Sequence, residues 1–247
     1  MASTARLTVL SEGLKTACSQ CNLQELCLPI GLSNNDLAQL DELVSVRKRL
    51  KRHQHLYRTG DPFEAIYAVR AGSFKTSIVQ EDGRVQVTGF QMTSEILGLD
   101  GISAETHTCD AEALEDSEVC VIPFAKLEEL SRQVEPLQHQ FHKVMSREIV
   151  RDHSVMMLLG SMRAEERLAA FLLNLSQRFT ARGFSHTEFH LRMTREEIGS
   201  YLGLKLETVS RAFSRFQERG LISVQQKHIH ILDIDGLHAI VSQHTAL

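Results

Sequence analysis

The sequence predicts an α+β chain in three successive parts: a small antiparallel β-roll, one long helix and a C-terminal winged helix-turn-helix. Three observations carry the prediction. Residues 51–124 break into short alternating segments between turn signals, the pattern of a sandwich or jelly roll. Residues 124–162 are helix-favouring with a single proline. Residues 194–220 hold two amphipathic helical patterns about a glycine. With 247 residues, there is chain for one large domain or two ordinary ones. The expected boundaries are 1–28 for a cysteine-bearing segment, 29–130 for the β-roll, 131–162 for the long helix and 163–247 for the last unit.

The first segment is distinguished by "ACSQCNLQELCLP", which puts Cys18, Cys21 and Cys27 within ten residues. It lacks the basic start and apolar run of an export signal, and no stretch approaches the roughly 18–20 apolar residues that span a bilayer. A cytoplasmic location is expected, without membrane contact. There thiols stay reduced, and clustered cysteines point to metal or redox chemistry before disulfides. Formal charge is −4 overall, but residues 160–247 carry 11 Lys+Arg against 9 Asp+Glu, and residues 1–159 carry 16 against 22. An anionic partner is therefore expected to meet the C-terminal part.

"LSNNDLAQLDELV" predicts a short helix capped by Asn34 or Asn35. Within the β-roll, "AIYAVRAGSFKTSIV" and "RVQVTGF" alternate as strands between Gly60-Asp61-Pro62, Ala71-Gly72-Ser73 and Glu81-Asp82-Gly83 turns. Pro136 starts the long helix. Met145, Ile149, Met156 and Leu159 follow the 4-then-3 spacing of a two-stranded coiled coil, a homodimer seam with Asp152 at an apolar position. A second stripe, Phe141, Val144, Val155 and Leu158, is expected to face the β-roll. The other readings are a lone amphipathic helix, or a seam turned by one position so that Asp152 simply faces solvent.

"AEERLAAFLLNLSQRF" starts the last unit as a one-sided apolar helix. In "TREEIGSYLGLKLETVSRAFSRFQERG", Thr194 and Glu197 make a capping box. Ile198, Leu202 and Leu204 pack, Gly199 is small at the helix crossing, and Gly203 meets the turn's need for positive φ. The second helix buries Val209, Phe213 and Phe216. Its other face, Glu207, Ser210, Arg211 and Ser214, is wholly polar, as a helix in the DNA major groove requires. Arginine grips guanine and glutamate accepts from cytosine, each good pair discriminating by roughly 1–3 kcal/mol. Arg195, Lys205, Arg215 and Arg219 are placed to reach phosphates. "LISVQQKHIHILD" alternates like a two-stranded wing with Lys227 near its tip.

Cys18-x2-Cys21-x5-Cys27, with Cys109 and Cys120 far along the chain, leaves three readings open on spacing: a 4Fe–4S cluster, a zinc site, or reactive or unused thiols. The twelve histidines are scattered. The pairs His53/His55, His228/His230 and His186/His190 read as surface residues. No phosphate-binding loop or nucleophile–base arrangement points to an enzyme.

Taken together, "CxxCxxxxxCLP", "RTGDPFEAIYAVRAGSFKT", "ALEDSEVCVIPF", "AEERLAAFLLNLSQRF" and "IGSYLGLKLETVSRAFSRFQ" resemble the FNR/ANR-type oxygen-sensing regulators of the CRP/FNR transcription-factor family. The resemblance covers nearly the whole length. It implies a cyclic-nucleotide-binding-like jelly roll and a 4Fe–4S cluster on Cys18, Cys21, Cys27 and Cys120, the last matched through "VCVIPF". Cys109 lies outside the family pattern and is taken as a bystander, with replacement of Cys120 as ligand the alternative. Glu207, Ser210 and Arg211 match the family's Glu-x-x-Ser-Arg reader, which implies TTGAT-like half-sites in a palindrome bound by a homodimer. The cyclic AMP members carry an Arg-Ser pair for the phosphate. Here Thr106-His107 stands near that place and no arginine occurs from Gly89 through Leu130. A buried phosphate would lack a counter-charge, so the nucleotide pocket is expected to be vestigial.

In the family, oxygen converts the cluster to 2Fe–2S and the dimer falls to monomers. The implied function is an oxygen-responsive regulator whose cluster promotes dimerisation and operator binding, with RNA polymerase as a partner, through loops such as Glu81-Asp82-Gly83. Two Asp152 carboxylates across a seam would cost on the order of 1–4 kcal/mol, which weakens the cluster-free dimer. The alternative is a CRP-like regulator sensing a small effector in the β-roll.

Overall fold

The computed structural model describes residues 17–23, 25–44 and 46–242. After a 3-10 turn at Cys18–Gln20, helix α1 runs Asn34–Leu43. Eight strands follow: β1 Val46–Leu50, β2 His55–Tyr57, β3 Ala65–Ala71, β4 Ser73–Val79, β5 Val85–Met92, β6 Ile96–Leu97, β7 Asp110–Ala113 and β8 Ser117–Pro123. Helices α2 Phe124–Gln133, α3 Glu135–Ser161 and α4 Ala164–Thr180 come next. The last unit adds β9 Glu188–His190, α5 Arg195–Leu202, α6 Leu206–Glu218, β10 Ile222–Gln225, β11 His228–Ile231 and α7 Ile234–Ser242. Among the described residues no helix is long and apolar enough to cross a membrane.

The eight strands form two antiparallel sheets, ordered β1-β8-β3-β6 and β2-β7-β4-β5. Strand alternation divides the side chains of the first sheet between two cores. Val69 and Val119 point inward with Leu50, Leu56, Phe74 and Ala111. Ile66, Ala68, Cys120 and Ile122 point outward, where Leu40, Leu127, Leu137 and Val144 of α1, α2 and α3 cover them. Cys120 is thereby buried on the face that receives the N-terminal segment.

The cap of α1 differs from expectation. Ser33, not Asn34 or Asn35, is the N-cap: its hydroxyl accepts from Asp36 N–H, and Asp36 Oδ2 accepts from Ser33 N–H at 3.2 Å. The expected helical region is also interrupted at Val134, so the boundary at 130 falls inside α2 and the long helix starts at Glu135 with Pro136 in its first turn.

The two stripes of α3 are shared out differently from the sequence pattern. Val144 and Phe141 pack on the β-roll side, where Phe141 meets Phe124 at 6.2 Å between ring centroids. Leu158 instead joins the core of the C-terminal unit, and Leu159 packs against that core. Met145 and Val155 are half-buried. The open apolar face consists of Ile149, Val150, Met156 and Met157, 56–67% exposed. At i, i+1, i+7 and i+8 these flank His153, with the exposed Asp152 at the stripe's edge.

The C-terminal core also takes in Val87, Phe90, Met92 and Leu114 of the β-roll. Polar clasps reinforce this joint. Glu95 receives Arg178 of α4 at 2.6 Å and Arg182, in the turn just past that helix, at 2.7 Å. Lys75 of β4 reaches Glu197 of α5 at 2.8 Å, and Ser200 Oγ donates to the Val85 carbonyl at 3.0 Å.

Candidate metal centre and nucleic-acid interface

Cys18, Cys21, Cys27 and Cys120 line one apolar pocket with Leu28, Leu40, Ala68 and Ile122. Local chemistry sets Cys18 and Cys21. The 3-10 turn closes with Cys21 N–H donating to the Cys18 carbonyl at 3.1 Å. Asp41 of α1 accepts the backbone N–H groups of Cys18 and Ser19 and so pins that turn. Cys120 comes from mid-strand, held in register opposite Arg47 of β1 and Ala68 of β3. Arg70 Nη1 donates to Cys21 Sγ at 3.3 Å, and its Nε pairs with Glu118 at 3.3 Å.

All five cysteines are free thiols. Burial, then the neighbouring Cys27 and Cys120, pushes Cys18 up to about 12. Burial likewise pushes Cys27 to about 12, against the Leu28 N–H that favours its thiolate. Burial raises Cys120 despite the opposing charge of Arg70. Burial raises these thiols as it raises Cys109 outside the pocket, so a metal taken up here would have to displace their protons. The donor set is all sulfur, with no carboxylate or imidazole lining the pocket, which suits soft or borderline iron and zinc and not calcium or magnesium. The residues fit a thiolate-bound metal centre. Among the described residues no three His, Cys, Asp or Glu side chains converge tightly enough to hold a single ion.

Cys109 lies elsewhere. It is buried between the two sheets, and burial followed by Asp100 pushes it to about 12. Beside it, His107 is 2% exposed, with Tyr57 stacked at 3.6 Å and Asp100 Oδ2 at 3.5 Å. This is where the resemblance puts the nucleotide phosphate, and a carboxylate faces the position.

The helix pair in the last unit follows its local signals. Thr194 and Glu197 form the reciprocal cap. Gly203 ends α5 at φ 62°, and a Cβ on Gly199 would meet the Leu204 carbonyl at 2.6 Å. Val209, Phe213 and Phe216 of α6 are at most 1% exposed. The opposite face presents Glu207, Arg211 and Ser214 to solvent, with Ser210 half-buried.

The expected phosphate contacts are less uniform. Lys205 is exposed at the α6 N-cap. Arg195 lies over the Phe213 ring at 3.9 Å, with one guanidinium nitrogen buried and unpaired. Arg215 and Arg219 are held by Glu165 at 2.6 and 3.8 Å. Sequence reasoning missed Glu165, because only the folded α4–α6 packing brings it there. It also missed β9, which extends the wing to three strands ordered β10-β11-β9.

Comparison with known proteins gives consistent results. Residues 47–134 match the model of a cyclic nucleotide-binding domain, and residues 166–240 that of a Crp-like helix-turn-helix domain. The chain is 48% identical over 240 residues to the transcriptional activator protein anr of Pseudomonas aeruginosa, covering 97% of each. It is 51% identical over 226 residues to the transcriptional regulatory protein btr of Bordetella pertussis, covering 92% of this chain and 93% of that one. The fumarate and nitrate reduction regulatory protein of Salmonella typhimurium is 42% identical over 232 residues, with 94% and 93% covered. Among solved structures, FixK2 of Bradyrhizobium japonicum superposes with a TM-score of 0.74 at 29% identity, over 80% of this chain and 98% of that one. With a DNA-reading helix pair on a β-roll, and relatives of these kinds aligned end to end, the chain belongs to the FNR/ANR-type transcriptional regulators of the CRP/FNR family.

Proposed function

We propose that this DNA-binding regulator responds to oxygen through a 4Fe–4S cluster held by Cys18, Cys21, Cys27 and Cys120. One observation carries the reading: Cys120, 93 residues beyond Cys27 in the sequence, shares one pocket with the three N-terminal thiols. Four thiols lining a common apolar space supply the all-thiolate ligand set of a 4Fe–4S cube. When bound, the cluster supplies iron–sulfur bonds that oxygen attacks.

The protein's own residues then do the rest. Cys120 ties the N-terminal segment to β8, which runs directly into α2 and α3. Arg147 of α3 lies near enough to Cys27 to favour its thiolate, so the charge of the quartet acts on the helix. The open face of α3, with Ile149 and Met156 of the expected seam, pairs with a second copy, and the cluster biases that pairing. The dimer sets two α6 helices on a TTGAT-type palindrome, with Arg211 on guanine and Glu207 on the neighbouring pair. The β4–β5 tip, Glu81-Asp82-Gly83 flanked by exposed Ile78, Val79 and Val85, is the surface offered to RNA polymerase. The Asp100 carboxylate beside His107 disfavours the second reading, an effector with a cyclic phosphate in the β-roll.

The test compares two substitutions in anaerobically purified protein. Cys120→Ser loses iron and sulfide and the visible absorbance, whereas Cys109→Ser retains both at the unsubstituted level. The reverse result would move the fourth ligand to Cys109. Full iron in both would sink the quartet.

A further inference from the structure

In sequence, His228/His230 and His186/His190 are separate pairs; the wing sheet unites members of both. Its middle strand is β11, and the register sets His190 opposite His228 and Glu188 opposite His230. Phe189 and Ile229, between them, point the other way and are 5% and 0% exposed. The outward face therefore carries three imidazoles and a carboxylate in a two-by-two array. The His190 and His228 rings lie 4.7 Å apart, centroid to centroid, with 41° between their planes. His230 Nε2 is 3.7 Å from Glu188 Oε1.

We propose that His190 and His228 form a site for a borderline divalent transition-metal ion, of the Zn2+ or Ni2+ class, on the solvent face of the wing. Imidazole nitrogen is a preferred ligand of these ions. Two imidazoles on one ion, each at the ~2.0–2.1 Å metal–nitrogen distance, hold their ring centroids on the order of 5 Å apart. The pair already has that separation. Water completes the coordination, since among the described residues no third ligand converges with the two rings. Glu188 sits one side-chain step along the same face, about 7 Å away, and adds negative charge that favours a cation. The ion clips β9 to β11 beside the wing tip, where Leu191 N–H donates to the Lys227 carbonyl at 2.8 Å and Lys227 Nζ donates to the Arg192 carbonyl at 3.1 Å. The site is independent of the cysteine pocket and of the oxygen-sensing reading.

The experiment uses the full untagged chain, titrated with Zn2+ while the imidazole Cε1–H resonances are followed. The assigned His190 and His228 ring signals are read individually among those of the twelve histidines, apart from anything the cysteines bind. The signals of His190 and His228 are expected to move together with one midpoint. His228→Ala should remove the His190 response, weakening it at least about tenfold, since even a partner that only touches a metal ligand is worth that much. His186→Ala should leave the response unchanged. Both imidazoles lie on the sheet's outer face, so far-UV circular dichroism and melting temperature serve as the folding control. Different midpoints for the two rings, a His190 response that survives His228→Ala, or no response at millimolar Zn2+ would each overturn the site.

Discussion

At the residue scale, short-range hydrogen bonds cap the first helix of the DNA-reading pair. Thr194 and Glu197 cap α5 as their three-residue spacing demands. Asn34 and Asn35 lost the α1 cap to Ser33 because three cap-competent residues stand in succession, and Asp36 returns a bond only to Ser33. Pairing Cys120 with the N-terminal thiols needed the family resemblance, because strand register, not spacing, brings it there. Glu165 was invisible for the same reason. The exposed α6 face leads to a paired prediction. Arg211→Ala costs about 1–3 kcal/mol of operator binding and relaxes selectivity at one base pair. Lys205→Ala weakens binding to all sequences alike and lowers the salt slope by about 1. Fluorescence anisotropy across a salt series, with matched and substituted operators, separates the two.

At the element scale, α3 shows where periodicity misleads. Its apolar residues serve the β-roll, the C-terminal core and, in the proposed pairing, a second copy, and sequence spacing cannot say which residue goes to which. Leu159 went inward because the α4–α6 core claims it, and Val150 and Met157 stayed open in its place. Asp152 is exposed at the edge of that open stripe, where in the proposed pairing its charge would oppose that of a second copy. Replacing Asp152 with Ala should therefore keep oxygen-exposed protein dimeric in analytical ultracentrifugation. A monomer that remains unable to bind DNA would show that this carboxylate plays no part in pairing. β9 was not foreseen because three residues are too few to announce a strand; the β10–β11 hairpin, with clear alternation, was.

At the scale of the whole molecule, the DNA-binding unit is fastened to the β-roll through Glu95. Burial alone would raise this carboxyl, but Arg178, with Arg182 and Arg151, holds it below its ordinary 4.5. A depressed value means that the ionised clasp stabilises docking above about pH 4.5 and that the contribution fades as pH falls through the lower folded value. Docking should therefore be insensitive to pH from 5 to 8. Glu95→Gln at pH 7 leaves Arg178 and Arg182 without their charge partner, while Arg151 keeps Glu148, and should cost about 3 kcal/mol of docking. Hydrogen exchange would show this as lost protection in β5 and α4 with the β3–β8 pairing unchanged; unchanged protection in both would remove Glu95 from the clasp. The three-part order and the winged reader were legible throughout, because strand alternation, helix caps and turn glycines are local. How the parts dock was not, since Lys75–Glu197 and Glu95–Arg178 join residues more than 80 positions apart.

The most direct measurement follows mass and operator binding together as air is admitted to protein purified without it. Iron-loaded dimer should bind a TTGAT palindrome, then lose its visible absorbance, its partner and its DNA in step. Metal-free protein that grips the same palindrome equally well before and after air would contradict the account.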